Sequence, residues 1–237
     1  MSFKEGDNAP SAVGASDAAF PGERALAAWE IASLTVSTLI AEWVVFSLGG
    51  GSNLLLAVPL AFAFVFMFCS HRLRGETARD IGLCLDNFAQ AMRLLILPML
   101  VTSALLVLVG ILSGNDLNFG KWRGGQSIFG VPALGFLWGL MQQYALQAFI
   151  NRRAQILWGK GFRSVFLVAF LFGLLHFPNP WLTAATFAGG LLWAWVYQRA
   201  PNLFALALSH MLMTWVLVST VPASALRGLR VGYKFFG

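Results

Sequence analysis

Apolar residues in this chain gather into long blocks separated by short polar punctuation. A bilayer crossing needs about 20 consecutive, mostly apolar residues. Seven blocks meet or approach that length, at 26–48, 53–70, 88–113, 127–150, 164–178, 180–198 and 201–222. A short span nearer the C-terminus would make eight. The pattern predicts an all-α, polytopic membrane bundle of about seven transmembrane helices. The connections are brief. Gly49-Gly50-Gly51-Ser52-Asn53 reads as a tight uncharged turn, and the stretch with Arg72, Arg74, Glu76, Arg79, Asp80 and Asp86 as a short amphipathic helix on the membrane surface. Phe177-Pro178-Asn179-Pro180 joins the fifth block to the sixth, as a hairpin or within one broken element, with Asn179 suited to capping the helix that follows. Residues 1–22 have no apolar core of a signal peptide and read as a disordered tail, and 223–237 as a C-terminal tail.

Composition supports this picture. Of the 237 residues, 58% are hydrophobic and 11% are charged, against roughly 25% charged in a soluble domain. The net charge of +6 sits in loop clusters rather than along one face. That argues for lipid headgroups and against nucleic acid as the partner. With the N-terminus in the cytoplasm, 11 Lys and Arg fall inside and five outside, as the positive-inside rule requires. Cys69 and Cys84 form no motif and read as free thiols. The nine Trp, Trp181, Trp193 and Trp195 among them, read mostly as an interfacial belt, and Phe62, Phe64, Phe66 and Phe68 as a lipid-facing or packed run.

Polar side chains inside spans are costly, so each needs a reason. Gln142, Gln143 and Gln147 lie in the fourth block, His176 in the fifth, and His210 with Thr214 in the seventh. At a rise of 1.5 Å per residue, Gln142 lies about 12 Å, His176 about 18 Å and His210 about 14 Å from the cytoplasmic ends of their blocks. Three spans thus place hydrogen-bonding groups in one layer of the bilayer. Gly135, Gly139, Gln143 and Gln147 form one stripe, whose small pair admits a close neighbour helix. Phe172 and His176 stack four apart, with Gly173 beside them, and Ala207, His210 and Thr214 share a face. The plain alternative is that such groups only bond helix to helix, worth about 0.6 to 2 kcal/mol each. Convergence at one depth favours a shared pocket.

Gln142-Gln143-Tyr144-Ala145-Leu146-Gln147, Phe172-Gly173-Leu174-Leu175-His176 and His210-Met211-Leu212-Met213-Thr214 also resemble, in order and spacing, the three motifs of the CPBP family of intramembrane proteases. That family includes the CAAX prenyl endopeptidases and bacterial proteins linked to bacteriocin processing and self-immunity. Its motifs read Glu-Glu-xxx-Arg, Phe-xxx-His and His-xxx-Asn (or a similar small polar residue). Asp80-Ile81-Gly82-Leu83 is similar to the segment that often precedes the family core. The resemblance implies transmembrane helices over 23–125 and a core over 126–222. It further implies a hydrolase acting on a membrane-associated or lipid-modified peptide in the cytoplasmic half of the bilayer, in a bacterial inner membrane. Gln142, Gln143, His176, His210 and Thr214 fall at its catalytic positions, with Gln147 and Phe172 in support.

The first motif departs from the pattern, because each of its charged residues is an amide here. A neutral Gln has no basic form near pH 7 and cannot take the proton that the family's glutamate accepts. Three outcomes stay open: a histidine, His176 ahead of His210, serves as the base; a carboxylate arrives from elsewhere; or the site binds without cutting, as a pseudoenzyme would. Glu42, about 24 Å up the first span, and Glu30, about 6 Å up, miss the layer. Two histidines with no Cys or carboxylate fall short of the three protein ligands usual for catalytic zinc, so no metal or other cofactor is expected. A small transporter ranks lower, since no ionisable relay or inverted repeat is evident.

Overall fold

A computed structural model describes residues 21–48, 53–122 and 132–237. The turn expected at 49–52, nearly all of the tail expected at 1–22 and the first residues of the fourth block fall outside them. Helices form where the apolar blocks stand. They are α1 (Pro21–Ile40, continued by a π-helical Ala41–Val45 and Phe46–Leu48), α2 (Asn53–Leu73), α3 (Phe88–Leu112) and α4 (Pro132–Gln143, continued by a π-helical Tyr144–Asn151 and by Arg152–Trp158). After them come α5 (Phe162–Leu174), α6 (Pro180–Arg199) and α7 (Leu203–Thr220). Gly22–Leu48, Phe88–Leu112 and Leu203–Thr220 are each long and apolar enough to cross a membrane, and Ala57–Leu73 and Phe162–Leu174 are shorter apolar helices. No strand occurs among the described residues. On α3, Leu97, Leu100, Val101, Leu105 and Leu108 all stay exposed, as a face turned to lipid would.

The layers follow from small residues and caps. α4 and α3 both lie against α7, and a Cβ on Gly139 would stand 3.1 Å from the Ala207 carbonyl, so the small-residue stripe does bring these backbones together. α5 and α6 form a hairpin, not one broken element. Gly190 seats the backbone of Ala169, where a Cβ would come within 2.8 Å of the Ala169 Cα. Asn179 caps α6 by accepting from the Leu182 N–H at 3.2 Å, and Asn202 caps α7 by accepting from the Ala205 N–H at 2.9 Å.

One connection differs from the sequence reading. Residues 74–87 are a chain of turns rather than an amphipathic surface helix. Their backbone is held from below: Ile81 C=O accepts from Tyr197 Oη at 3.0 Å, Gly82 C=O from the Leu203 N–H at 2.8 Å, and Cys84 C=O from Asn202 Nδ2 at 2.7 Å. Gly82 adopts φ +83° with Pro201 pressed against it, a place only glycine fits. The docked Ile81 and Gly82 belong to the segment singled out before the core. At the other end, residues 223–237 make only short turns of helix (Ala223–Leu226, Arg227–Leu229 and Gly232–Phe235), none long enough to cross a bilayer.

Where the charges go is the other departure. Ser70 donates to Glu30, and Arg74 and Arg153 flank the same carboxylate at 2.8 and 3.1 Å. Glu76 accepts from Arg152 at 2.7 Å and Arg153 at 2.8 Å and lies 2.6 Å from His71 Nδ1. Arg153, which lies past the end of the fourth apolar block, is wholly buried. Burial alone would raise the Glu76 carboxyl, but the His71 hydrogen bond and the Arg153 and Arg152 charges outweigh it and hold the group down at about 2. The network ties α1, α2, the 74–87 turns and the end of α4 into one block.

Candidate functional site

The polar residues of α4, α5 and α7 meet. Gln143 is fully buried, and its Nε2 lies 3.2 Å from His210 Nδ1. An amide N–H donates there, so Nδ1 accepts and the ring proton of His210 rests on Nε2. His176 has the opposite tautomer. Its Nδ1–H donates to the Phe172 carbonyl at 2.7 Å, which leaves Nε2 with a free lone pair. Phe172 contacts both imidazoles, its ring centroid 4.8 Å from His176 and 5.9 Å from His210. One histidine thus offers an acceptor and the other a donor.

Local sequence explains each placement. α5 ends at Leu174, so His176 sits in the turn just past the helix, not within a span reaching 178. The i−4 carbonyl of Phe172, one of the free carbonyls of a helix C-terminus, is the group that receives its N–H. His210 lies in the middle of α7 with its Cβ facing Gly139 of α4, where an added Cβ would stand 3.6 Å from it and 3.1 Å from the Ala207 carbonyl. Gln142 and Thr214 stand half-buried nearby, and neither bonds a histidine.

Trp193 belongs to this site and not to an interfacial belt. It is buried, its ring stacks on His210 with centroids 4.6 Å apart, and its indole N–H donates to Ser209 Oγ at 2.8 Å. Position in sequence, near the end of an apolar block, concealed this.

Gln147 heads a second chain of amides. Asn151 Nδ2 donates to Gln147 Oε1 at 2.9 Å, and Gln198 Nε2 donates to Asn151 Oδ1 at 3.0 Å and to Ser164 Oγ at 2.9 Å. Gln143 Oε1 and Gln147 Nε2 are both buried without a protein partner. One is an acceptor and the other a donor, four residues apart on the same rod. Of the two candidate carboxylates, Glu30 is bound in the charge network. Glu42 neighbours the C-terminal tail, with its backbone against Gly232 and Oε2 buried without a protein partner.

Residues 124–216 match the family model described as type II CAAX prenyl endopeptidase Rce1-like. The matched stretch contains Gln142, Gln143, Gln147, Phe172, His176, His210 and Thr214. No curated protein and no solved structure matches the chain.

Proposed function

We propose, from the match of residues 124–216 to the Rce1-like CAAX endopeptidase model, that this chain is an intramembrane endopeptidase of the CPBP family whose base is His176. The contacts that carry this reading are Gln143 Nε2 against His210 Nδ1 and the Phe172 carbonyl against His176 Nδ1, from which the two rings are assigned opposed tautomers. His176 Nε2 has the lone pair needed to draw a proton from water as that water attacks a peptide carbonyl. His210 Nε2–H has the proton needed to bond the oxyanion that forms. The protonated His176 then returns its proton to the leaving amine. Gln143 keeps His210 a donor by occupying Nδ1, and Trp193 and Phe172 fix the planes of the rings. The substrate is a membrane-associated or lipid-modified segment. The seven-span, N-in arrangement in a bacterial inner membrane is part of this proposal and rests on the Lys and Arg bias.

The test is cleavage of membrane-anchored peptides, prenylated and unmodified, by the purified protein in nanodiscs, read by mass spectrometry. His176→Ala should slow cleavage by about 100- to 10,000-fold, the usual contribution of a general base. Equal rates for wild type and a His176→Ala, His210→Ala double variant would end the reading.

A second reading, in which the site holds a peptide or lipid without cutting it, as in self-immunity or assembly, is favoured by one specific observation. No carboxylate bonds either histidine among the described residues. Activity that arises only in a Gln142→Glu, Gln143→Glu, Gln147→Arg variant would select it.

A further inference from the structure

The turn that carries His176 is also the anchor of the C-terminal tail. Asn179, wholly buried, uses its side-chain oxygen to cap α6 and its Nδ2 to donate to the carbonyls of Leu226 at 2.9 Å and Arg230 at 3.2 Å. Phe177 C=O, one residue past His176, accepts from the Gly232 N–H at 3.0 Å. Arg230 and Val231 between these contacts are extended, at ψ 140° and at φ −132°, ψ 169°. In an extended strand, residues two apart present their backbone groups on one edge. The Arg230 carbonyl and the Gly232 N–H therefore face the turn together. The turn answers with an acceptor at 177 and a donor at 179, the same spacing. Trp43 closes the other side, its ring 6.4 Å from Phe177 and 6.2 Å from Phe236.

We propose that the α5–α6 turn is a binding site for an extended peptide backbone, filled at rest by the chain's own C-terminal strap. The contacts are backbone groups on the strap side, so they select conformation rather than sequence, as strand addition does elsewhere. An extended peptide pairing with Phe177 and Asn179 would run directly past His176. Helical backbone keeps its carbonyls bonded internally, so a segment about to be cut has to be drawn out, and this edge would do so. The strap competes for the same groups and has to leave before a substrate enters. This inference rests on His176 as the reactive group of the proposed peptidase.

Two full-length variants in nanodiscs test it. Gly232→Leu acts on the strap alone. The glycine has φ +54°, and a Cβ there would stand 2.9 Å from the Glu42 carbonyl, so the seat is lost while the turn is untouched. Asn179→Asp keeps the oxygen that caps α6 and loses the donor. The probe is a dye-labelled synthetic peptide of residues 223–237, followed by fluorescence anisotropy, with amide exchange of Gly232 read in parallel. The proposal expects Gly232→Leu to bind the probe at least tenfold more tightly than wild type, and the added Asn179→Asp change to reverse that gain. It also expects Asn179→Asp alone to speed exchange at Gly232 at least tenfold. Equal probe binding in wild type and Gly232→Leu, binding unaffected by the added aspartate, or unchanged exchange in Asn179→Asp would each overturn it. Probe binding that follows this pattern without any cleavage would retain the site and reject the peptidase.

Discussion

At the scale of single residues, the site is controlled by which nitrogen carries each proton. Gln143 donates to His210 Nδ1; a carboxylate in its place would accept instead and move the ring proton to Nδ1. Gln143→Glu should therefore convert His210 from donor to base. The expected outcome is a changed pH–rate profile for peptide cleavage, with a new ionisation that the wild type lacks. Gln143→Met, similar in length and free of the amide, should leave His210 able to exchange tautomers and lower the rate without altering the number of ionisations. Much of this constellation was legible in the sequence, because Phe172 and His176 lie four apart and Gln143 and His210 interrupt apolar blocks with polar side chains. Trp193 was not, since a Trp near a helix end has the same sequence appearance whether it faces headgroups or an imidazole. His71 escaped notice because it ends an apolar block beside Arg72 and reads as loop polarity, although it is buried against Glu76.

At the scale of elements, charge and amide networks join the helices beside an apolar core that includes Leu95, Phe149, Val168 and Leu206. Glu76 is held down at about 2 by His71, Arg153 and Arg152 against the opposing effect of burial. A carboxyl whose pKa is lower folded than unfolded adds stability that is complete above its ordinary value near 4.5 and fades as pH falls toward 2. Thermal melts in detergent should therefore show a declining midpoint between about pH 4.5 and 2, and Glu76→Gln should flatten that slope and lower the midpoint at pH 7. The α5–α6 hairpin makes a separate prediction. At Gly190 the obstructing atom is backbone, so Gly190→Val should cost about 1 to 3 kcal/mol of stability, the usual cost of overpacking. Gly82 and the 74–87 turns show where sequence patterning stopped. Alternating charge suggested a surface helix, but Asn202, Tyr197 and Leu203 from distant positions bond that backbone, and bonds of such sequence separation leave no local periodicity.

At the scale of the whole molecule, the order of helices was readable from apolar block length alone, while their partners were not. The N-in orientation proposed from Lys and Arg placement is checked by single-cysteine variants lacking Cys69 and Cys84. A cysteine at Asp86 should react with a membrane-impermeant maleimide only from the cytoplasmic side, and one at Gly237 only from the opposite side. The π-helical stretch Tyr144–Asn151 has a consequence at this scale. Bonds from i to i+5 house more residues per turn than the α-helix, in which each residue turns the rod by about 100°. The N-terminal half of α4 is thereby rotated relative to its C-terminal end, which Glu76 and Glu30 grip through Arg152 and Arg153. The rod works like a screw clamped at its base. Shortening the thread by one residue would swing Gln143 off His210 and bring a neighbouring side chain round in its place, so chain length within this one stretch selects which group the imidazole meets.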